Sequence, residues 1–296
     1  MTVHEHVVAA RERLSIAGIS VPDAARDAEF LARHLLRWDR ATFLVRRHEM
    51  HPTSFDVDFG RLVERRAARE PVFLIVGTRE FWGLEFEISH DTLVPRPETE
   101  LIVEHTLRTL GSADEGRWIV DVGTGCGCVA IAIATERPSA RIVATDVSSA
   151  ALRLALRNAR RHGVNDRIAF VQTDLLGSIA PRVDLIVSNP PYVESRSIAS
   201  LMPEVRAHEP HVALDGGADG LSIIRRLLVQ AATCLRPGAR LLFEFGDGQH
   251  TLVADAVRAV HSLELVGVRD DLQGIPRVAV VERRRISEPN PVEDTR

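Results

Sequence analysis

Apolar residues follow a helical period in the first part of the chain and a strand-like period further on. In residues 23–36 they recur at three- and four-residue steps, which is typical of one buried face of a helix. Residues 63–68 predict another helix, which is rich in arginine. We therefore expect a small helical domain over residues 1–76.

The pattern changes between residues 77 and 97. Four apolar residues between positions 82 and 88 alternate with other residues, as in a hairpin strand. Pro95 and Pro97 then disfavour a helix before Glu98, and a helical pattern resumes over residues 98–110. Residues 77–97 are thus predicted to be a hairpin and linker.

From residue 118 onward, short apolar runs alternate with helical segments. The predicted strands are 118–122, 142–145, 168–173, 183–188, 241–245, 263–268 and 278–281. The predicted helices are 129–135, 150–161, 221–235 and 252–260. This alternation predicts an α/β fold with a mostly parallel seven-stranded sheet covered on both faces. No helix separates the last two strands, so one of them should run antiparallel. We expect this domain to span residues 98–286 and the polar tail 287–296 to be disordered.

Composition narrows the function classes. The net charge of −4 leaves no large basic footprint, which argues against a clamp on duplex nucleic acid. All 37 basic residues are arginine, so lysine Schiff-base chemistry is excluded.

The three cysteines form no C-x-x-C pair, and we expect neither a disulfide framework nor a metal site. No apolar run approaches the roughly 20 residues of a membrane span and no signal core opens the chain, so we expect a cytoplasmic protein without membrane contact.

A glycine-rich turn follows the first strand of the alternating part. The turn reads Asp121-Val122-Gly123-Thr124-Gly125-Cys126-Gly127. Such a turn between a strand and a helix lets the backbone approach a ligand closely. The next strand ends at Asp146, whose carboxylate could accept hydrogen bonds from ribose hydroxyls. The third ends at Asp174 and Leu175, a polar and an apolar group suited to the edge and face of adenine. Together these strand ends predict a nucleoside site.

The glycine spacing separates two kinds of nucleoside cofactor. The turn reads G-x-G-x-G, whereas the dinucleotide pattern G-x-G-x-x-G would need glycine where Cys128 stands. Asp121 also suits a cationic cofactor better than a pyrophosphate. Both features resemble the S-adenosylmethionine (SAM) methyltransferase fold, whose methyl donor carries a sulfonium charge. The alternative role for Asp121 is to cap nearby backbone amides. Cys126 and Cys128 are expected to be packing residues rather than nucleophiles.

A rigid turn ends the fourth strand. It reads Ser188-Asn189-Pro190-Pro191-Tyr192. Ligands of open α/β sheets lie outside the carboxyl ends of the strands, so this turn should lie near the methyl donor. The Asn189 side-chain carbonyl and the Pro190 carbonyl can accept both hydrogens of a planar NH2 group, and Tyr192 can stack on its plane. Such acceptors would aim the nitrogen lone pair at the methyl group. The alternative is a proline-rich turn with a packed tyrosine.

The Asn-Pro-Pro-Tyr turn resembles the motif of methyltransferases that act on planar amino groups. The whole chain resembles the protein-(glutamine-N5) methyltransferases of the HemK/PrmC family, which modify peptide chain release factors. The likeness extends from Asp27 to Arg283 and includes Arg69-Glu70-Pro71 with Gly77, Glu80-Phe81-Trp82, residues 94–100, Asp121–Gly127, Asp146, Asn189–Tyr192, Glu209-Pro210, Asp219-Gly220, and Glu244 with Gly246 and Gln249. Some members have tryptophan where Leu175 stands, so this contact with adenine should be aliphatic and weaker.

The resemblance implies a Rossmann-like class I SAM-dependent methyltransferase domain, preceded by a helical domain that helps hold a release factor. It implies methylation of the glutamine in a Gly-Gly-Gln loop, with S-adenosyl-L-homocysteine as product and no metal. The expected cofactor-binding residues are Asp121, Gly123, Thr124, Gly125, Cys126, Gly127, Asp146, Val147, Asp174, Leu175 and Asn189. The expected catalytic residues are Asn189, Pro190 and Tyr192. The expected substrate-binding residues are Asn189, Pro190, Pro191, Tyr192, Arg96, Pro97 and Glu98.

Other functions share part of this pattern. Ribosomal-protein glutamine methyltransferases resemble the family but usually differ after Pro-Arg, and the run from Arg96 to Glu100 fits the release-factor type. That run could also be a helix start capped by Thr99 or Glu100. An amino methyltransferase on adenine or cytosine would need base flipping and a positive groove. An NAD(P)-dependent oxidoreductase would leave the Asn-Pro-Pro-Tyr turn without a role. A regulator that binds SAM without catalysing methyl transfer is a further alternative, against which the intact acceptor turn argues.

Overall fold

A computed structural model describes residues 1–52, 54–111 and 116–285. Its helices are α1 (Val3–Ile16), α2 (Val21–Leu36), α3 (Arg40–Arg46), α4 (Phe55–Ala67), α5 (Val72–Val76), α6 (Glu100–Leu110), α7 (Cys128–Glu136), α8 (Ser149–Arg161), α9 (Pro203–His208), α10 (Ser222–Cys234) and α11 (His250–Arg258). Its strands are β1 (Thr78–Phe81), β2 (Leu84–Glu87), β3 (Trp118–Val122), β4 (Arg141–Asp146), β5 (Ile168–Gln172), β6 (Val183–Ser188), β7 (Leu235–Glu244), β8 (Leu263–Asp270) and β9 (Pro276–Arg283).

The N-terminal helices pack around a core of their own. The predicted helical stretch 23–36 lies within α2, which begins after Ser20, whose hydroxyl accepts from the Asp23 amide. The helix ends at Arg37 in the left-handed conformation, with φ of 53°. Its apolar face packs on α1 and α4, as the periodicity predicts. The buried residues of that face are Ala24, Ala28, Leu31 and Ala32.

The predicted hairpin is confirmed. Strands β1 and β2 pair antiparallel across Trp82 and Gly83, which both have positive φ, at 53° and 68°. A two-residue turn of this kind matches the twist of the strands that it joins. The hairpin is held on α8 by Asn158, whose side chain bonds both the amide and the carbonyl of Glu87 at 2.8 and 2.9 Å.

The second part of the chain forms the predicted seven-stranded sheet. The strand order is β5-β4-β3-β6-β7-β9-β8, and all neighbours are parallel except β9, which runs antiparallel to β7 and β8. The prediction of one antiparallel strand among the last two is therefore confirmed. Strand β7 begins at Leu235, six positions before the predicted 241, because the chain passes directly from α10 into the sheet, where Leu235 pairs with Val183. The order reverses around β3, where ligands of such sheets bind.

The segment between β6 and α10 contains an element that the sequence analysis missed. Helix α9 carries Glu204, which accepts from Arg66 at 3.0 Å and from Arg69 at 2.8 Å. Arg66 also donates to Asp27 at 2.7 Å and is only 6% exposed. A charge buried to this extent is stable only when it is paired and hydrogen-bonded. This cluster therefore ties the N-terminal helices to the chain that follows the Asn-Pro-Pro-Tyr turn.

The predicted domain boundaries and the structure differ in one detail. Residues Pro97–Thr99 form a 3-10 turn, and the regular helix begins at Glu100 rather than at 98. The predicted disordered tail, 287–296, lies outside the described residues. The division into domains at 76 and 97 stays a prediction. None of the helices in the described ranges is both long and apolar enough to cross a bilayer.

Candidate active site

A cavity of about 390 Å³ opens at the carboxyl ends of β3, β4, β5 and β6. It brings together most of the predicted cofactor residues. Those that line it are Asp121, Gly123, Thr124, Gly125, Cys126, Asp146, Val147, Asp174, Leu175 and Asn189. Gly127 is the predicted cofactor residue that does not line the cavity, for a reason that its surroundings explain.

The three glycines of the turn have different roles. Gly123, Gly125 and Gly127 all have left-handed φ values, of 72°, 58° and 86°. A Cβ atom on Gly123 would meet nothing within 4 Å, so this glycine leaves space at the cavity wall. A Cβ atom on Gly127 would lie 3.0 Å from both Ala155 and Ile131. Gly127 therefore permits the close packing of α7 on α8, and its contact with the cofactor stays a prediction.

Asp121 is a buried carboxylate at the cavity wall, 2% exposed. Its Oδ2 accepts from the Thr124 hydroxyl at 2.6 Å and from the Ala130 amide at 3.2 Å. The alternative in which Asp121 bonds backbone amides is thus confirmed for this oxygen. Burial raises the pKa of Asp121 to about 6, although both hydrogen bonds oppose the shift. Burial destabilises the charged form of this carboxyl, and a nearby positive charge stabilises that form.

Asp146 is held rigidly at the end of β4. Its Oδ2 accepts from the Gly125 amide at 3.0 Å and its Oδ1 from the Ser148 amide at 2.9 Å. Burial raises the pKa of Asp146, and the backbone hydrogen bonds oppose that shift. Each oxygen of an ionised carboxylate accepts more than one hydrogen bond, so both keep capacity for a ligand.

The residues that follow β5, Asp174 and Leu175, make a contact that was not predicted. Asp174 pairs with Arg226 of α10, which also lines the cavity and which the sequence analysis missed. Leu175 adopts a left-handed conformation with φ of 52°, so its side chain is presented from a strained backbone. Roles for Asp174 and Leu175 at adenine stay predictions.

The residues around the cavity fit a cationic nucleoside. Asp121 and Asp146 place two carboxylates at adjacent strand ends beside a glycine turn with open space.

The Asn-Pro-Pro-Tyr turn reaches the same cavity. Asn189 and Pro191 line it, whereas Pro190 is buried and does not. Tyr192 packs against the apolar core on the α10 side of the sheet, and its hydroxyl donates to Glu244 at 2.9 Å. Burial first and Glu244 second raise the pKa of Tyr192, which keeps the phenol neutral. Contacts of Pro190 and Tyr192 with a substrate stay predictions.

Thr99 occupies the N-cap position of α6, the position that the alternative of a capped helix start gave it. Its side chain makes no cap bond. The Thr99 hydroxyl instead donates to Glu244 Oε2 at 2.7 Å and accepts from Asn189 Nδ2 at 3.0 Å. Burial raises the pKa of Glu244, and the bonds from Thr99 and Tyr192 oppose the shift. A carboxylate thus supports the acceptor turn from the end of β7, and only the family resemblance had singled it out.

The segment 94–100 forms part of the cavity wall. Pro95, Arg96 and Thr99 line the cavity, whereas Pro97 is exposed and neither it nor Glu98 does. Arg96 donates to both oxygens of buried Glu209, at 2.7 and 2.8 Å. Burial raises the pKa of Glu209, and Arg96 opposes the shift. Substrate contacts of Arg96, Pro97 and Glu98 stay predictions.

Two other features lie away from this cavity. A groove of about 530 Å³ between α2 and the hairpin is lined by Arg33, Trp38 and their neighbours, and contains none of the predicted site residues. His6, His51 and Asp56 have potential ligand atoms within 4.8 Å of one another. This group was not predicted from the sequence, and the expected absence of a metal stays a prediction.

Comparisons with known proteins bear on both parts of the chain. The PrmC N-terminal domain model matches residues 5–77, and the Methyltransferase small domain model matches residues 97–207. The release factor glutamine methyltransferase of Cereibacter sphaeroides is 43% identical over 270 residues, which cover 91% of this chain and 94% of the relative. The chain belongs to the release factor glutamine methyltransferase family.

Other relatives support this membership. The release factor glutamine methyltransferase of Rhodospirillum rubrum is 40% identical over 279 residues, covering 94% of this chain and 84% of the relative. A methyltransferase structure from Pyrococcus furiosus matches with a TM-score of 0.51 at 19% identity, over 77% of this chain and 98% of that one, and shows the shared fold. The predicted family, the predicted methyltransferase fold and the prediction of a SAM-dependent methyltransferase are confirmed.

Proposed function

We propose that this chain transfers the methyl group of SAM to the side-chain amide nitrogen, N5, of the glutamine in the Gly-Gly-Gln motif of peptide chain release factors. S-Adenosyl-L-homocysteine is the other product, and the reaction takes place in the cytoplasm. One observation carries the proposal. In a chain of this family, Asn189 of the acceptor turn lines the same cavity as Asp121 and Asp146.

The cofactor is held at the ends of β3, β4 and β5. Asp146 accepts from the ribose hydroxyls, and Asp121 faces the positive charge of the methionine part. Gly123, Thr124, Gly125 and Cys126 form the wall of the turn beside it, with Val147 next to Asp146. Leu175 packs on the adenine face and Asp174 bonds its edge.

The acceptor turn orients the amide to be methylated. Bound SAM supplies an activated methyl group on a sulfonium. The Asn189 Oδ1 atom and the Pro190 carbonyl accept the two amide hydrogens, which directs the nitrogen lone pair toward that methyl group. The N–CH3 bond forms as the S–CH3 bond breaks, and the nitrogen then loses a proton to water. No metal is required for this displacement.

The rest of the chain positions the protein substrate. The helical domain, residues 1–76, helps to hold the release factor, and residues 77–97 link it to the methyltransferase domain at 98–286. Arg96 and Pro191 contact the glutamine side chain from the cavity wall, and Pro97, Glu98 and Tyr192 are their neighbours in the sequence. The ion pairs of Arg66 and Arg69 with Glu204 connect the two domains through α9, which follows the acceptor turn in the sequence.

Methyl transfer from labelled SAM tests this proposal. The purified protein is incubated separately with release factors, ribosomal proteins, DNA and RNA, and mass spectrometry locates the added methyl group. We expect one methyl group on the Gly-Gly-Gln glutamine and none on a release factor whose glutamine is replaced by alanine. Methylation of a ribosomal protein or a nucleic acid in preference to the release factor would contradict the proposal.

A further inference from the structure

A buried chain of hydrogen bonds supports the Asn189 side chain. Asn189 Nδ2 donates to Thr99 Oγ1 at 3.0 Å, and Thr99 Oγ1 donates to Glu244 Oε2 at 2.7 Å. Tyr192 donates to the other oxygen of the same carboxylate at 2.9 Å. Thr99 is 3% exposed and Glu244 1% exposed, so water does not compete easily for these bonds.

The direction of this chain follows from the chemistry of its members. Glu244 accepts a hydrogen bond on each of its two oxygens, from Thr99 and from Tyr192, so Thr99 gives its single hydroxyl hydrogen to Glu244. The Thr99 oxygen is then an acceptor toward Asn189, which must turn its Nδ2 to Thr99. The Oδ1 atom is the part of the amide that remains for the cavity that Asn189 lines.

We propose that Thr99 and Glu244 are positioning residues that fix the amide orientation of Asn189. The inference rests on the proposed function, in which Asn189 Oδ1 accepts a hydrogen from the substrate amide. In the opposite orientation Asn189 would present its own NH2 to the NH2 of the substrate, and two donors would face each other. Thr99 and Glu244 therefore act on the reaction through Asn189.

The end of β7 also holds the backbone of the turn. Gln249 Nε2 donates to the Tyr192 carbonyl at 2.9 Å, and Gln249 Oε1 accepts from the Gly246 amide at 2.8 Å. A Cβ atom on Gly246 would lie 3.2 Å from the Tyr192 ring and 2.9 Å from Gln249 Oε1. The backbone of the turn thus has a support that does not involve Thr99. Loss of the Thr99 hydroxyl should reorient the Asn189 amide without displacing the turn.

Three threonine substitutions separate orientation from packing. Thr99→Val keeps the shape of the side chain and removes its hydroxyl, whereas Thr99→Ser keeps the hydroxyl. Thr106→Val is the matched control, because Thr106 on α6 is fully buried and its hydroxyl has no hydrogen-bond partner among the described residues. Glu244→Gln provides an independent change, since the new amide can donate to Thr99 and so reverse the direction of the hydrogen bonds.

The first readout is the rate of methyl transfer to the release factor. We expect Thr99→Val and Glu244→Gln to lower kcat by about 10- to 100-fold, the scale of a misplaced orienting group. The Kd for SAM and the KM for the release factor should change by less than about threefold. Thr99→Ser should recover most of the turnover, and Thr106→Val should match the wild type. Equal turnover in Thr99→Val and Thr106→Val, or no recovery in Thr99→Ser, would overturn the inference.

A second readout does not depend on the substrate. The Asn189 side-chain NH2 resonances, assigned by their loss in Asn189→Ala, should exchange slowly with solvent in the wild type and rapidly in Thr99→Val. Unchanged exchange in Thr99→Val would overturn the inference. If the wild type fails to methylate release factors while the exchange difference is present, the proposed function is wrong and the orientation of Asn189 is still established.

Discussion

The two halves of the cavity are built in different ways. The cofactor half consists of a glycine turn and strand-end carboxylates that lie within 54 positions of one another, from Asp121 to Leu175, and its bonds run largely to nearby backbone amides. The acceptor half depends on side chains that are far apart in the sequence, such as Thr99 and Glu244, 145 positions apart. The first half can therefore form from local geometry, whereas the second requires the whole sheet to be assembled.

Removal of Asn189 should have the largest effect and should separate the two halves. We expect Asn189→Ala to lower turnover by at least about 10²-fold, the scale of a lost orienting polar group. The Kd for SAM should stay within about twofold of the wild type because the cofactor half is unchanged. Steady-state kinetics and calorimetry measure the two quantities, with Asn165→Ala, on a turn away from the cavity, as control. Unchanged turnover would show that the acceptor assignment is wrong.

Loss of Asp146 should weaken SAM binding more than it lowers turnover, which is the reverse of the effect expected for Asn189→Ala. Asp146→Ala removes charge-assisted hydrogen bonds, which corresponds to a Kd for SAM weakened by about 10- to 100-fold. At saturating SAM, turnover should fall much less than in Asn189→Ala. Asp166→Ala, an exposed aspartate, serves as the calorimetric control. Wild-type affinity in Asp146→Ala would reject the ribose role.

The affinity for SAM should also depend on pH through Asp121. The pKa of this carboxyl is raised to about 6 in the absence of ligand. Below that pH it is protonated and must lose its proton to face a cation, so the affinity should fall as the pH is lowered. Between pH 7 and pH 5 we expect the Kd to weaken by about tenfold. Calorimetry over this range should show a flat profile for Asp121→Asn; the same pH dependence in that variant would assign it to another group.

The contact at adenine should contribute least. Leu175→Ala removes apolar surface from a partly open site, and we expect a Kd for SAM weakened by about threefold. Turnover at saturating SAM should not change. A weakening as large as that of Asp146→Ala would mean that this side chain holds the cofactor as firmly as the ribose carboxylate does.

The residues of the cofactor half could be predicted to meet at one cavity because the determinants of that half are local. The turn from Asp121 to Gly127 and the strand end at Asp146 are adjacent to buried strands whose period is readable, and parallel strands bring their carboxyl ends to one edge. The position of Gly127 outside the cavity lining could not be predicted, because its close approach to Ala155 depends on how α7 packs on α8.

The acceptor half was predicted only in part. Asn189 was recognisable from its turn, whereas the only specific role that the sequence offered for Thr99 was the alternative of a helix cap, which local propensity favours. Its actual partner, Glu244, comes from the far end of the sheet. Arg226 and the pairing of Arg96 with Glu209 were missed for the same reason: the partners meet only through tertiary structure.

The most direct test is a crystal structure with S-adenosyl-L-homocysteine and a peptide that contains Gly-Gly-Gln. We expect the glutamine amide nitrogen at hydrogen-bond distance, about 2.7–3.2 Å, from both Asn189 Oδ1 and the Pro190 carbonyl oxygen. We also expect the nucleoside at Asp146 in the same cavity. A glutamine side chain bound elsewhere, or one that contacts neither acceptor, would contradict the account.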